Sequence, residues 1–335
     1  MIALPLLLLI LAGIGWSGAW FYAAGRAERE IDAWIAREAT QGRAWSCGQR
    51  SLGGFPFRFE LLCDAPRLDF AGAGGWEATA GRAHAVAQVW DPGHIIVEFQ
   101  SPARLAEAAG GQVYEASWTL LQSSGVGTGG RPDRISTAAD NLEIRAAGAP
   151  ASLLFAARHV EVHARRHPDA AEGTLDLAAL LRGARGPAAT GSASAVPVDG
   201  ELQATITAMP EARSMPTEQR LRLWQEAGGR AKLALGRISA GDAASLTTTA
   251  DVGLDSSGRL DGEANMSAVG IDRLSAALTA AGLMPPALAA LAPMARAAGT
   301  PAEVNGQRAA SFAFTLKRGR ISLGLLPLGS IGPLF

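Results

Sequence analysis

Five histidines carry most of the chemistry that this sequence could perform. His159, Glu161 and His163 fall on one face if residues 156–164 form a strand, because strand side chains alternate with a period of two. Two imidazoles and a carboxylate at that spacing could ligate Zn²⁺ or a non-haem iron, given a further ligand from elsewhere in the chain. His167 could supply that ligand only after a turn at Pro168. Against this, Phe155 and Ala157 share the face with the histidines, Val160 and Val162 take the other, and Arg158, Arg165 and Arg166 lie nearby. The plainer reading is a solvated strand face, and no metal or other cofactor is assigned. His84 and His94 flank Trp90 and could meet across a hairpin, but no triad geometry is visible around them. No GxSxG nucleophile elbow is present. The run Gly125-Val126-Gly127-Thr128-Gly129-Gly130 lacks the GK[ST] ending of a phosphate loop and reads as a flexible loop. Arg58 could bind an anionic headgroup, although Glu60 on the same face offers an ordinary ion pair. No catalytic residue is assigned, and the chain is expected not to be an enzyme.

The elements that would hold these residues begin with a membrane segment. From Ile2 to Ala24 there is no charged side chain, and Leu6 to Leu11 form its centre. A span needs about 20 apolar residues, and Trp16, Trp20 and Tyr22 sit towards one end, where rings favour the headgroup interface. A cleaved signal peptide would need a shorter apolar core and a small-residue cleavage site, for which Ser17-Gly18-Ala19 is a poor candidate. Residues 1–25 are therefore read as a transmembrane anchor. Residues 26–40, with Ile31, Trp34 and Ile35 at helical spacing, read as an amphipathic juxtamembrane helix.

Beyond Arg43 the period changes to two, the mark of half-buried strands. Phe55, Phe57, Phe59 and Leu61 share one face, with Pro56 at the strand's start or edge. Ile95, Val97 and Phe99 alternate with polar residues after an Asp91-Pro92-Gly93 turn. Tyr114, Trp118 and Leu120 follow, then Leu142 and Ile144. Leu246 to Leu254, the turn Asp255-Ser256-Ser257-Gly258, and Leu260 to Met266 form a strong hairpin signal. Phe312, Phe314 and Leu316 return after Arg318-Gly319 as Ile321, Leu323 and Leu325. Helices are expected over 217–227, over 271–281 with Leu274 and Leu278 inward, and over 285–298 with an interruption at Pro293. The fold class is α+β and β-dominated: an N-terminal transmembrane helix, then a meandering antiparallel, curved sheet with a few short helices. Residues 41–335 form this β-rich domain, and the Gly, Ala, Ser and Pro-rich run at 182–200 is a candidate division into two halves.

Thirty basic residues against thirty-one acidic give a net charge of -1, which leaves no electrostatic footprint for nucleic acid. Cys47 and Cys63 are the only cysteines. An even pair beside a membrane anchor reads as a disulfide in an oxidising compartment. Two unrelated buried thiols remain an alternative; a metal pair is weaker, since the spacing is not CxxC and no His lies between them. Orientation carries conflicting signals: Arg26, Arg29 and Arg37 follow the anchor and no basic residue precedes it, so charge counting would place the bulk in the cytoplasm, whereas the disulfide reading places it outside.

The cysteines bracket Phe55-Pro56-Phe57-Arg58, and Trp90-Asp91-Pro92-Gly93-His94 follows with Glu98-Phe99 and Ser101-Pro102. With the 255–262 hairpin and the C-terminal Gly319–Gly324 and Pro327-Leu328-Gly329 blocks, the chain resembles the mainly alphaproteobacterial domain-of-unknown-function 2125 (DUF2125) family over nearly its whole length. The resemblance implies a single-pass inner-membrane protein with its bulk in the periplasm, and no known activity. It thereby settles the orientation in favour of a domain outside the cytoplasm. The departure from the family pattern is the absence of basic residues before the anchor. The sequence also bears a looser likeness to AsmA-type envelope proteins, whose curved sheets are associated with lipid handling. The expected role is lipid binding or envelope assembly without catalysis, with the inner membrane and a lipid as partners. A periplasmic scaffold that binds another envelope protein is the first alternative, and a metal-dependent periplasmic enzyme the second.

Overall fold

The uncharged opening run and the charged segment after it continue as one helix. A computed structural model describes residues 3–71, 75–108, 110–128, 131–148, 152–168, 170–187, 197–210, 215–290, 292–304 and 306–335. In it α1 runs over Ala3–Thr40. No proline interrupts residues 24–31, so the anchor and the juxtamembrane helix expected from sequence are collinear. The first part of α1 is long and apolar enough to cross a membrane, and Leu4 to Ile14 expose their large side chains.

The chain divides into two compact units, residues 1–139 with 144–152, and residues 140–143 with 153–335. In the first, β1 (Arg43–Ser46), β2 (Gln49–Gly53), β3 (Arg58–Asp64), β4 (Arg67–Phe70), β5 (Trp76–Ala80), β6 (Arg82–Gln88), β7 (Asp91–Phe99), β8 (Ala103–Glu107), β9 (Val113–Ser117) and β10 (Leu120–Thr128) form two antiparallel ladders. One runs β2, β3, β6, β7, β10 and the other β1, β4, β5, β8, β9. Both ladders come from the same long hairpins, each strand broken near its middle: at Ala65, whose φ is 46°, at Gly81, and at the cis Ser101–Pro102 peptide. Strand β11 (Arg131–Ala146) contributes residues to both units.

The second unit is a meander in sequence order. β12 (Ser152–Arg166), β13 (Leu175–Ala184), β14 (Val198–Ile206), β15 (Arg230–Ser239), β16 (Ser245–Leu254) and β17 (Leu260–Val269) pair antiparallel, each with the next. β19 (Gln307–Lys317) then pairs with β17 along one edge and with β18 (Thr300–Val304) and β20 (Arg320–Leu323) along the other, and β21 (Leu326–Ser330) pairs with β20. The helices are α2 (Thr217–Glu226), α3 (Ile271–Ala280), α4 (Pro286–Ala289) and α5 (Ala292–Ala298). Leu274, Ala277 and Leu278 of α3 cover a small core with Ala184, Val198, Ala240 and Ala244. Gly270 before α3 has a φ of 56°, and a Cβ there would lie 2.4 Å from the Ala243 carbonyl oxygen, so glycine is required for the chain to enter that helix.

Several expectations need correction. Within the 182–200 run, residues 182–184 end β13 and 198–200 open β14, Ala184 pairing with Val198, while residues 188–196 lie outside the described ones. Phe55 and Phe57 are turn residues and β3 starts at Arg58, because Arg58 N donates to Gly54 O at 3.1 Å and closes a tight turn. The β6–β7 turn is Val89-Trp90 rather than Asp91-Pro92-Gly93, since Gln88 already pairs with Asp91. Gly125 to Thr128 are strand, Gly125 being held opposite Ile95, while Gly129 and Gly130 lie outside the described residues. Pro293 sits in the first turn of α5, where its missing N–H costs nothing.

Candidate functional site

Register sorts the second unit into two chemically distinct faces. Cross-strand partners point the same way, so the row Val162, Ala179, Leu202 lies beside the rows Ala164, Leu177, Ala204, Leu233, Ala250, Ala264, Phe314 and Leu175, Ile206, Ala231, Val252, Leu316. Every one of these side chains is apolar. The first row continues through Gly236, Thr248, Met266 and Phe312, and the third begins at Arg166, so the strip crosses β13 to β17 and β19 without a charged residue and meets one, Arg166, at its β12 edge. α3 covers only one end, near Leu181 and Leu246. The rest is half-buried, with Val162 49% and Leu202 39% exposed, and among the described residues no large side chain is fully buried. A sheet with a packed core behind it buries its large apolar residues almost completely; this strip does not reach that state.

The opposite face is polar, and the histidines lie there. His159 Nδ1 is 2.6 Å from Asp140 Oδ1, and its Nε2 is 2.9 Å from Glu161 Oε1. The other Glu161 oxygen is 3.2 Å from His163 Nε2. Asp140 first, then Glu161, raises His159 above its ordinary 6.5. His159 first, then His163, holds Glu161 below its ordinary 4.5. Both ring nitrogens of His159 thus face carboxylates, the arrangement of a charged imidazolium between two acceptors rather than of a metal ligand with a free lone pair. Among the described residues no group of three or more His, Cys, Asp or Glu side chains is placed to hold a metal ion. His167 does not join the cluster; its Nδ1 lies 3.0 Å from Asp176 Oδ1, and this contact, aided by Thr205 and Arg165, holds Asp176 below its ordinary 3.8.

In the first unit the Cys47–Cys63 pair is a disulfide with Cα atoms 5.4 Å apart, tying the β1–β2 junction to β3. Cys63 is buried. The Phe55-Pro56-Phe57-Arg58 motif forms the β2–β3 tip against α1: Trp16 Nε1 donates to Pro56 O at 2.9 Å and Trp20 Nε1 to Arg58 O at 3.1 Å. Trp20 is buried, its ring 5.5 Å from Phe55 and 5.8 Å from Phe59. Arg58 pairs with Glu60. Trp90 occupies the neighbouring tip, Pro92 is the second residue of β7, and His94 Nε2 lies 3.0 Å from Ser124 Oγ. His84 pairs opposite Glu98, four residues along β7 from His94, so the two histidines do not meet. An open depression of about 420 Å³ is lined by Arg82, His84, Glu98, Gln100, Ser101 and Trp118 among others. Its lining is mainly polar, and Arg82 is already paired with Asp64.

Sequence reasoning missed Asp140, nineteen residues before His159 and reachable only across a strand pair. It also missed most of the apolar strip. Leu175 and Leu177 lie in a strand with little alternation, where only apolar content bounded by turns could have signalled them, whereas Leu202, Ala204 and Ile206 alternate with Glu201, Gln203 and Thr205, a period-two signal open to reading.

A family model described as "Uncharacterized protein conserved in bacteria (DUF2125)" matches residues 20–332. Among curated proteins and solved structures nothing matches.

Proposed function

The chain belongs to this family of uncharacterised proteins conserved in bacteria, and on that premise we propose that it is a membrane-anchored envelope protein that binds a lipid acyl chain without catalysis. The observation that carries this reading is the half-buried apolar strip from Val162 to Phe314, bordered by strands rather than sealed by a second layer. Acyl chains need an apolar surface and little directional bonding, and a pocket for them needs few polar groups. The anchor would hold the strip close to a supply of lipid, in the inner membrane with the bulk of the chain in the periplasm. A photo-reactive benzoylphenylalanine at Val162 or Leu202 should yield a lipid adduct on irradiation of cells, and the same group at Glu201 should not. Absence of adducts from both strip positions, in protein that retains its disulfide, would remove the reading.

A scaffold role has its own supporting observation. β21 pairs only with β20 among the described residues and is exposed along its length, with Leu326 and Leu328 outward. An open edge of this kind can accept a partner's strand by backbone hydrogen bonding. Replacing Leu328 with Pro should abolish capture of an envelope partner while sparing the lipid adduct.

A further inference from the structure

We infer that the tips of the β2–β3 and β6–β7 hairpins, carrying Phe55, Phe57 and Trp90, insert into the lipid bilayer beside α1 rather than standing in the aqueous compartment. The inference rests on the reading of α1 as a membrane anchor and adds a second, strand-borne membrane contact to it.

Depth is the first argument. The first charged residue of α1 is Arg26. Trp16 lies ten residues before it, or about 15 Å down the helix axis at the usual rise, and Trp20 about 9 Å. Both indoles hydrogen-bond to the β2–β3 tip, at Pro56 O and Arg58 O. A helix that crosses the bilayer with Arg26 in the headgroups therefore carries that tip below the level of its own first charge.

Surface chemistry agrees. Trp16 is 42% exposed, Phe21 64%, Tyr22 70%, Phe55 49%, Phe57 59% and Trp90 65%. Phe21 stacks on Phe55 at 5.7 Å, so helix and turn present one continuous aromatic surface. Aromatic rings concentrate at membrane interfaces, and a patch this apolar facing water would be a liability.

Backbone polarity is the usual objection, because lipid-exposed turns leave carbonyls without partners. Here the tip is prepaired. Gly54 O accepts from Arg58 N, Pro56 O from Trp16 Nε1, Phe57 O from Val89 N and Arg58 O from Trp20 Nε1. The Val89 contact also binds the two tips together. Arg58 has a 60% exposed side chain and is long enough to reach headgroup phosphates from this depth.

The test uses the full chain in nanodiscs of phosphatidylethanolamine and phosphatidylglycerol. Nitroxide labels are placed on Ile10→Cys, Phe57→Cys, Trp90→Cys and Gln112→Cys variants, with Cys47–Cys63 kept oxidised and so unlabelled. Accessibility of each label to oxygen and to a water-soluble nickel chelate reports its depth. Labels at 57 and 90 should share the severalfold oxygen preference of the label at 10, while 112, on the exposed β8–β9 turn, should favour nickel. If 10 lies in lipid but 57 and 90 behave like 112, the inference is wrong and the anchor stands. If 10 is itself in water, the anchor reading and the inference fall together.

Discussion

His159 shows what the polar face does with its charges. Its two nitrogens sit between Asp140 and Glu161, and Glu161 reaches on to His163. The raised value of His159 means that its contribution to stability is complete below about 6.5 and is lost as pH rises through the higher folded value. Glu161, held low, contributes above 4.5, and that contribution is lost as pH falls through its depressed folded value. The cluster is therefore most stabilising in the mildly acidic window from about 4.5 to about 6.5, where both contributions are complete. A proton-NMR titration should place the His159 imidazole midpoint above 6.5, and Asp140→Asn should move it back down. A midpoint at or below the ordinary value in the wild-type chain would contradict the arrangement. Part of this was legible beforehand: alternation alone puts His159, Glu161 and His163 on one face. Asp140 was not, because cross-strand neighbours depend on register, which a single sequence leaves open where no short turn fixes it.

The elements differ in what holds them. The Cys47–Cys63 bond closes a loop with a sequence separation of 16, worth about 3 kcal/mol in the chain-entropy description. Replacing both cysteines with Ser should lower the urea midpoint correspondingly, and an unchanged midpoint would mean that α1 and β3 fix this hairpin without the bond. α3 depends instead on packing. Leu274 is 3% exposed against Ala184, Val198 and Ala244, so Leu274→Ala should cost about 2–5 kcal/mol, read from the same denaturation curve. Leu274 and Leu278 were readable as the inward face because a 3.6-residue period survives in a short amphipathic helix. The β16–β17 and β19–β20 hairpins were readable too, their alternation being bounded by Asp255 to Gly258 and Arg318-Gly319. Strands such as β6 and β13 were not. Ala83, Ala85 and Ala87, or Leu177 to Leu181, are alanine- and leucine-rich runs that favour helix as readily as strand, and only the neighbouring ladders decide. The apolar strip exists as a site only once β12 to β17 are laid side by side, which is a matter of register rather than of any one strand's pattern. Phe55 and Phe57 misled in the opposite sense, their alternation being real but belonging to a turn held against Trp16 and Trp20.

At the scale of the whole molecule, two physical signals bear on which side of a membrane the two units would occupy, and they point in opposite directions. Arg26, Arg29 and Arg37 lie within the stretch where positive charge favours the cytoplasm, and Asp and Glu offset them little in that rule. Against this stands the Cys47–Cys63 bond, which persists in an oxidising compartment and is rare where glutathione keeps thiols reduced. The charge rule is weakest when a long folded domain follows the span, because such domains translocate largely regardless of flanking charge. The redox argument does not weaken with length. The disulfide accordingly outweighs the charge count, and the periplasmic placement proposed on that ground makes a prediction that a cytoplasmic placement reverses. Alkaline phosphatase fused after Phe335 should be active in cells, because it needs the same oxidising environment, while a fluorescent protein that fails to mature outside the cytoplasm should stay dark. Cys47 and Cys63 should resist thiol alkylation until a reductant is added. Adding two lysines ahead of Leu4 should increase the active fraction if insertion is loosely controlled and leave it unchanged if the units already lie wholly outside. Inactive phosphatase with freely alkylated cysteines would instead place both units in the cytoplasm. It would also remove the periplasm from the proposed function while leaving the apolar strip of β12 to β19 to be explained.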